Sequence, residues 1–106
     1  MRVISQDGVL DFPYEKSVVF INHKDMSEVK MQAIGDDEDV MIAQYSTEEK
    51  AKKAMKMLRL AYENNVFYHC TAGSKRFEEV QSILSEEQFQ KLTSEYFQFP
   101  AEEELE

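Results

Sequence analysis

Three observations predict an α+β fold, in which an antiparallel β-meander of about five strands packs against one long and two short helices and a short C-terminal strand closes the chain. Short β-branched and aromatic runs separated by polar turn residues fill the first 45 positions. A sustained helical period follows a capping signature at Ser46 and Glu49. Beyond Gly73 two shorter helical patterns appear, each with its own serine at the start.

The strands are read in order. Met1 to Gln6 and Val9 to Tyr14 form a hairpin about Asp7-Gly8, a dipeptide suited to a type I′ turn. Pro13 offers no N–H to a ladder, so the second strand ends near Phe12 or lies at an edge. Ser17 to Asn22, Glu28 to Ile34 and Val40 to Tyr45 supply the rest of the meander. Their connections, Lys24 to Ser27 and Gly35 to Asp39, are short, polar loops, and His23 reads as a turn residue.

The long helix is expected from Thr47 to about Asn64. Ala51, Ala54, Met55, Leu58, Ala61 and Tyr62 recur on one face, and Lys50, Lys53, Lys56 and Arg59 form a solvated basic stripe elsewhere. Asn64-Asn65 ends it, and Val66-Phe67-Tyr68 reads as a further strand. Ser74 and a second capping box from Ser85 to Gln88 place two helices at about 75–84 and 86–93, the latter burying Phe89 and Leu92. Tyr96 to Phe99 forms the closing strand before Pro100 and clusters with Phe89.

A chain of 106 residues accommodates one domain, expected over 1–100, and the acidic tail 101–106 carries too little apolar surface to pack and is expected to be disordered. Leu105-Glu106 also has the form of a dipeptide appended by cloning. Twenty-one acids against 12 bases give a net charge of −9, which disfavours direct binding to nucleic acid. No apolar stretch reaches the roughly 20 residues of a membrane helix, so no membrane partner is expected and the location is read as cytoplasmic. A single cysteine, Cys70, excludes an internal disulfide, and neither it nor His23 and His69 has zinc spacing. No metal or other cofactor is expected, and Asp36 to Asp39 reads as a solvated turn rather than a Mg²⁺ or Ca²⁺ site.

One motif carries chemistry. His69-Cys70-Thr71-Ala72-Gly73-Ser74-Lys75-Arg76 fits H-C-x-x-G-x-x-R and resembles the phosphate-binding loop of cysteine-dependent protein tyrosine phosphatases. That resemblance implies Cys70 as nucleophile, Arg76 as the bidentate clamp on the phosphate oxygens and His69 as the residue tuning the thiolate. Phe77 stands where that family places Ser or Thr, and Asp36, Asp37 and Asp39 lie upstream at a tolerable distance for its general acid, although an acidic β-β loop explains them without chemistry. The structural alternative buries Cys70 in a strand-to-helix turn that uses Gly73 and Ser74.

The ends and centre of the chain point elsewhere. MRVISQDG, Asp11 to Glu15, IAQYSTEEKAKKAM with LRLAY, and YFQFPAEEELE together resemble a family of small acidic uncharacterised phage and prophage proteins of Firmicutes, and this likeness spans nearly the whole chain. It implies a fold and a genomic setting rather than a catalytic residue. The leading expectation is therefore a protein that is not an enzyme and acts by binding a host or phage protein. Carboxylates would stand where phosphates sit in the basic groove of a host nucleic-acid-binding protein. The candidate residues are Asp36, Asp37, Glu38, Asp39, Glu78, Glu79, Glu86 and Glu87. A homodimer formed through the sheet edge or the aromatic cluster is a third reading.

Overall fold

A computed structural model describes residues 1–105 and shows an α+β fold of six strands and three α-helices. The strands are β1 (Arg2–Ile4), β2 (Asp11–Pro13), β3 (Ser17–Ile21), β4 (Glu28–Ala33), β5 (Val40–Gln44) and β6 (Tyr96–Gln98). The helices are α1 (Glu48–Thr71), α2 (Lys75–Ile83) and α3 (Glu86–Leu92), with 3-10 turns at Tyr14–Lys16 and Glu102–Leu105.

The expected five-stranded meander divides into two three-stranded sheets. One is the antiparallel meander β3-β4-β5, and the other is ordered β2-β1-β6, with β6 parallel to β1. The division has a local cause: Pro13 ends β2 and leads into the 3-10 turn, which turns the chain away before β3 begins. β1 and β2 do form the expected hairpin, but not about a type I′ turn. That turn needs positive φ at both central residues, and only Gly8 has it, at +77°. Asp7 instead accepts hydrogen bonds from the Ser5 hydroxyl and, at 3.0 Å, from the Val9 amide, which holds its carboxyl below the ordinary value.

The core gathers Val3, Phe12, Val29, Met31, Ile42, Ala43, Tyr45 and Phe99 from the strands and their flanks against Ala51, Ala54 and Leu58 of α1. The two alanines let α1 lie close to the sheets, as its predicted apolar face requires. Its start differs by one residue from expectation, because Thr47 rather than Ser46 is the N-cap and accepts from the Lys50 amide at 3.2 Å. The Ser46 amide is taken by the Glu102 carboxylate.

The far end of α1 departs more. Asn64-Asn65 does not end the helix, and Val66-Phe67-Tyr68 is helix rather than strand. Asn65 is buried, and its side-chain amide donates to the Ser94 carbonyl and the Glu95 carboxylate, both at 3.2 Å. The tertiary surroundings satisfy this side chain and remove its reason to break the helix. α1 stops at Thr71, followed by Gly73 at φ +80°.

α2 and α3 form at the expected positions, the first capped by Ser74 and the second by a complete Ser85–Gln88 capping box. They pack on the distal part of α1 through a second apolar centre. Phe77 stands 5.5 Å from Tyr68 and 6.0 Å from Phe89, centroid to centroid. Phe89 therefore joins this cluster rather than that of β6, where Phe97 meets Phe99 at 5.3 Å and Tyr96 is exposed. Phe89 and Leu92 are only partly buried.

The tail expected to be disordered forms a 3-10 turn over Glu102–Leu105. Leu105 is buried among core residues, Lys53 donates to its carbonyl at 3.0 Å, and Glu102 reaches Ser46 and Lys50 near the start of α1. One apolar side chain that finds a socket outweighs the charges around it. The expectation for Glu106 lies outside the described residues.

Candidate functional site

The 69–76 segment contains no strand to deliver a nucleophile. His69, Cys70 and Thr71 form the last turn of α1, Arg76 lies in the first turn of α2, and Ala72 to Ser74 alone connect them. Cys70 is exposed, which corrects the alternative that buried it as well. The backbone amides that would cradle an anion are largely committed. Ala72 donates to the Tyr68 carbonyl at 2.8 Å, Ser74 donates to that of Thr71 at 2.9 Å, and those of residues 69–71 belong to the helix. The Ser74 hydroxyl turns to the Phe77 amide at 3.1 Å as a cap. Helix–turn–helix geometry is thus what these residues build, and Gly73 serves the end of α1 rather than a phosphate loop.

His69 has a partner that its motif did not suggest. Its Nε2 lies 3.0 Å from the Glu95 carboxylate, which also accepts from Asn65. The His69 hydrogen bond first, and that of Asn65 second, hold the Glu95 carboxyl below its ordinary value. The trio staples the end of α1 to the segment entering β6. The sequence shows only the pair Asn64-Asn65, whose composition reads as a helix stop.

The eight candidate carboxylates occupy two regions. Asp36, Asp37, Glu38 and Asp39 lie on the loop between β4 and β5, whereas Glu78 and Glu79 lie on α2 and Glu86 and Glu87 on α3. All eight are exposed. The first set thus belongs to the β3-β4-β5 meander and the second to the two short helices that follow α1. Asp39 pairs with Lys30 at 3.0 Å and Glu87 with Lys91 at 3.8 Å, which leaves six of the eight without a basic partner among the described residues.

Two grooves flank α1. One, of about 320 Å³, is lined by Met57, Leu60 and Ala61 with Tyr96 and Phe97, and Asn64 and Lys91 add polar groups. The other, of about 420 Å³, lies between Ile21 of β3 and Lys52, Met55 and Arg59. No group of three His, Cys, Asp or Glu side chains converges as metal ligands among the described residues. No helix among them is long and apolar enough to cross a membrane.

No family model matches the chain, and no curated protein or solved structure is significantly similar to it.

Proposed function

We propose that this protein acts by binding another protein, as a small acidic factor of the phage or prophage kind. In this reading its carboxylate surfaces occupy a basic groove of a host nucleic-acid-binding protein and so block it. The observation that supports this is the set of six carboxylates, Asp36, Asp37, Glu38, Glu78, Glu79 and Glu86, that lie on exposed elements without a basic partner among the described residues. Ordinary surface acids are often neutralised by neighbouring bases, as Glu48 is by Lys52 at 2.8 Å. Six that are not carry a field outward, and a field of one sign steers encounter with a surface of the other.

The 69–76 segment favours no catalytic reading, since its residues form two helix ends and a three-residue turn. The test compares the wild-type chain with a variant carrying Asp36→Asn, Asp37→Asn, Glu38→Gln, Glu78→Gln, Glu79→Gln and Glu86→Gln. Each is immobilised and exposed to host lysate at about 0.1 M and about 0.5 M salt, where the Debye length falls from roughly 10 Å to 4–5 Å. A nucleic-acid-binding protein retained by the wild type, released at high salt and not held by the variant is expected. That partner should also lose nucleic-acid binding when the acidic protein is added. Salt-independent capture, or equal capture by the variant, overturns the reading.

A further inference from the structure

The two sheets present four outer edges, and three are partly closed from within. At β2 the Asp11 carbonyl accepts from Arg2 at 3.2 Å, Pro13 has no N–H, and the Pro13 carbonyl accepts from the Ser17 hydroxyl at 2.8 Å. At β5 the Ile42 carbonyl accepts from the Gln6 amide at 2.8 Å, and the Gln44 amide donates to the Gln6 side chain at 3.0 Å. At β6 the Ser94 hydroxyl bonds both polar groups of Tyr96.

The edge of β3 is different. The Asn22 amide donates to Glu28 and the Ile34 amide to Lys16, so even-numbered residues of β3 turn their backbone groups toward β4. Odd-numbered residues turn theirs outward. The Ser17 amide is used by the preceding turn, but the N–H and C=O of both Val19 and Ile21 have no partner among the described residues. Four consecutive outward groups on an apolar strand without proline, bulge or inward charge are a template for another strand.

α1 overhangs this edge. Lys52, Met55, Arg59 and Tyr62 share one helical face, Tyr62 packs on Tyr14 at 4.7 Å just before β3, and the other three enclose the 420 Å³ groove with Ile21. The side chains of an added strand that point toward α1 would meet the Met55 thioether and, beside it, two cations. Lys52 is paired with Glu48, whereas Arg59 has no ionic partner among the described residues.

We propose that the β3 edge, under the Lys52, Met55 and Arg59 face of α1, takes an extended segment of a partner protein as an added strand, one that alternates acidic and apolar side chains toward α1. A second copy fits less well. Two-fold pairing of β3 edges sets the two basic faces of α1 against each other, between bodies that each carry a net −9. This site is separate from the carboxylate surfaces, so either proposal can fail alone.

The probe is a blocked heptapeptide of alternating threonine with glutamate, valine and glutamate at its even positions, titrated into the full chain while amide exchange is followed. Protection gained at Val19 and Ile21 is expected. Binding should weaken at least tenfold with Arg59→Glu, with lysine replacing glutamate in the peptide, or with N-methylation of its ladder amides. Absence of binding, protection elsewhere with those two amides unchanged, or affinity indifferent to Arg59→Glu overturns the proposal. Protection at Val19 and Ile21 that rises with protein concentration before any peptide is added assigns the edge to a second copy and overturns the stated occupant.

Discussion

Tyr45, at the end of β5, donates its hydroxyl hydrogen to the Pro100 carbonyl at 2.9 Å across 55 residues of sequence, and so ties the meander to the segment that follows β6. The ring is buried in the core. Gln6 is a second donor to the same carbonyl at 3.3 Å, so Tyr45→Phe does not orphan it. The variant should lose about 1 kcal/mol at neutral pH, read as a lower urea midpoint with an unchanged slope. Burial, and then the charge of Glu104, raise the Tyr45 pKa above its ordinary 10.0. The folded state therefore keeps its proton where the unfolded chain has lost it. This contribution is fully present below about pH 10 and is lost as pH rises through the folded value. The wild-type advantage over Tyr45→Phe should shrink between pH 10 and 11.

Asn65 presents the complementary case of a buried polar side chain with two acceptors, at Ser94 and Glu95. Asn65→Ala strands the Ser94 carbonyl and removes one of the two hydrogen bonds that lower the Glu95 pKa. A loss of about 1–3 kcal/mol is expected by urea titration. A carboxylate with a lowered folded pKa contributes stability above its unfolded pKa and loses it on acidification. A proton titration of Glu95 by NMR should place its midpoint higher in the variant.

How much was legible turns on the range of the interactions involved. Ser74 and the Ser85–Gln88 capping box act within three residues, and both were read correctly because their partners lie in the same window. The apolar face of α1 was legible for the same reason, since periodicity records which side is buried without naming the neighbour. Val66-Phe67-Tyr68 was not, because β-branched and aromatic residues fit a strand unless Phe77 and Asn65 hold them in a helix. That error governed the candidate site, since a strand before Cys70 is what gave H-C-x-x-G-x-x-R its phosphatase look. The parallel pairing of β6 with β1 and the docking of Leu105 are contacts between chain ends, which no local pattern encodes. The open edge of β3 was equally hidden, because it depends on which backbone groups the other elements cover.

The aromatic cluster of Tyr68, Phe77 and Phe89 forms a centre distinct from the main core. Phe77→Ala should cost about 3 kcal/mol of local stability, and the loss should fall unevenly. Amides of α2 and α3 are expected to exchange much faster, whereas those of β1, β4 and β5 keep most of their protection. Uniform acceleration across all elements would instead mean that both centres unfold together.

Cys70 offers the most direct check on the geometry of the 69–76 segment. A phosphatase loop would give a thiolate near neutral pH, protected by oxyanions and dependent on the clamping arginine. An exposed cysteine in the last turn of α1, with the surrounding amides committed to helix ends, has none of these features. Iodoacetamide should therefore reach Cys70 directly from solvent. Phosphate or vanadate at millimolar concentration should not slow the reaction, and Arg76→Ala should change its rate less than about twofold, since no amide cradle couples the two side chains. Oxyanion protection that disappears in Arg76→Ala would require the end of α1 to unwind into a loop in solution, and a hydrogen-exchange measurement would then show accelerated exchange at Tyr68 and His69.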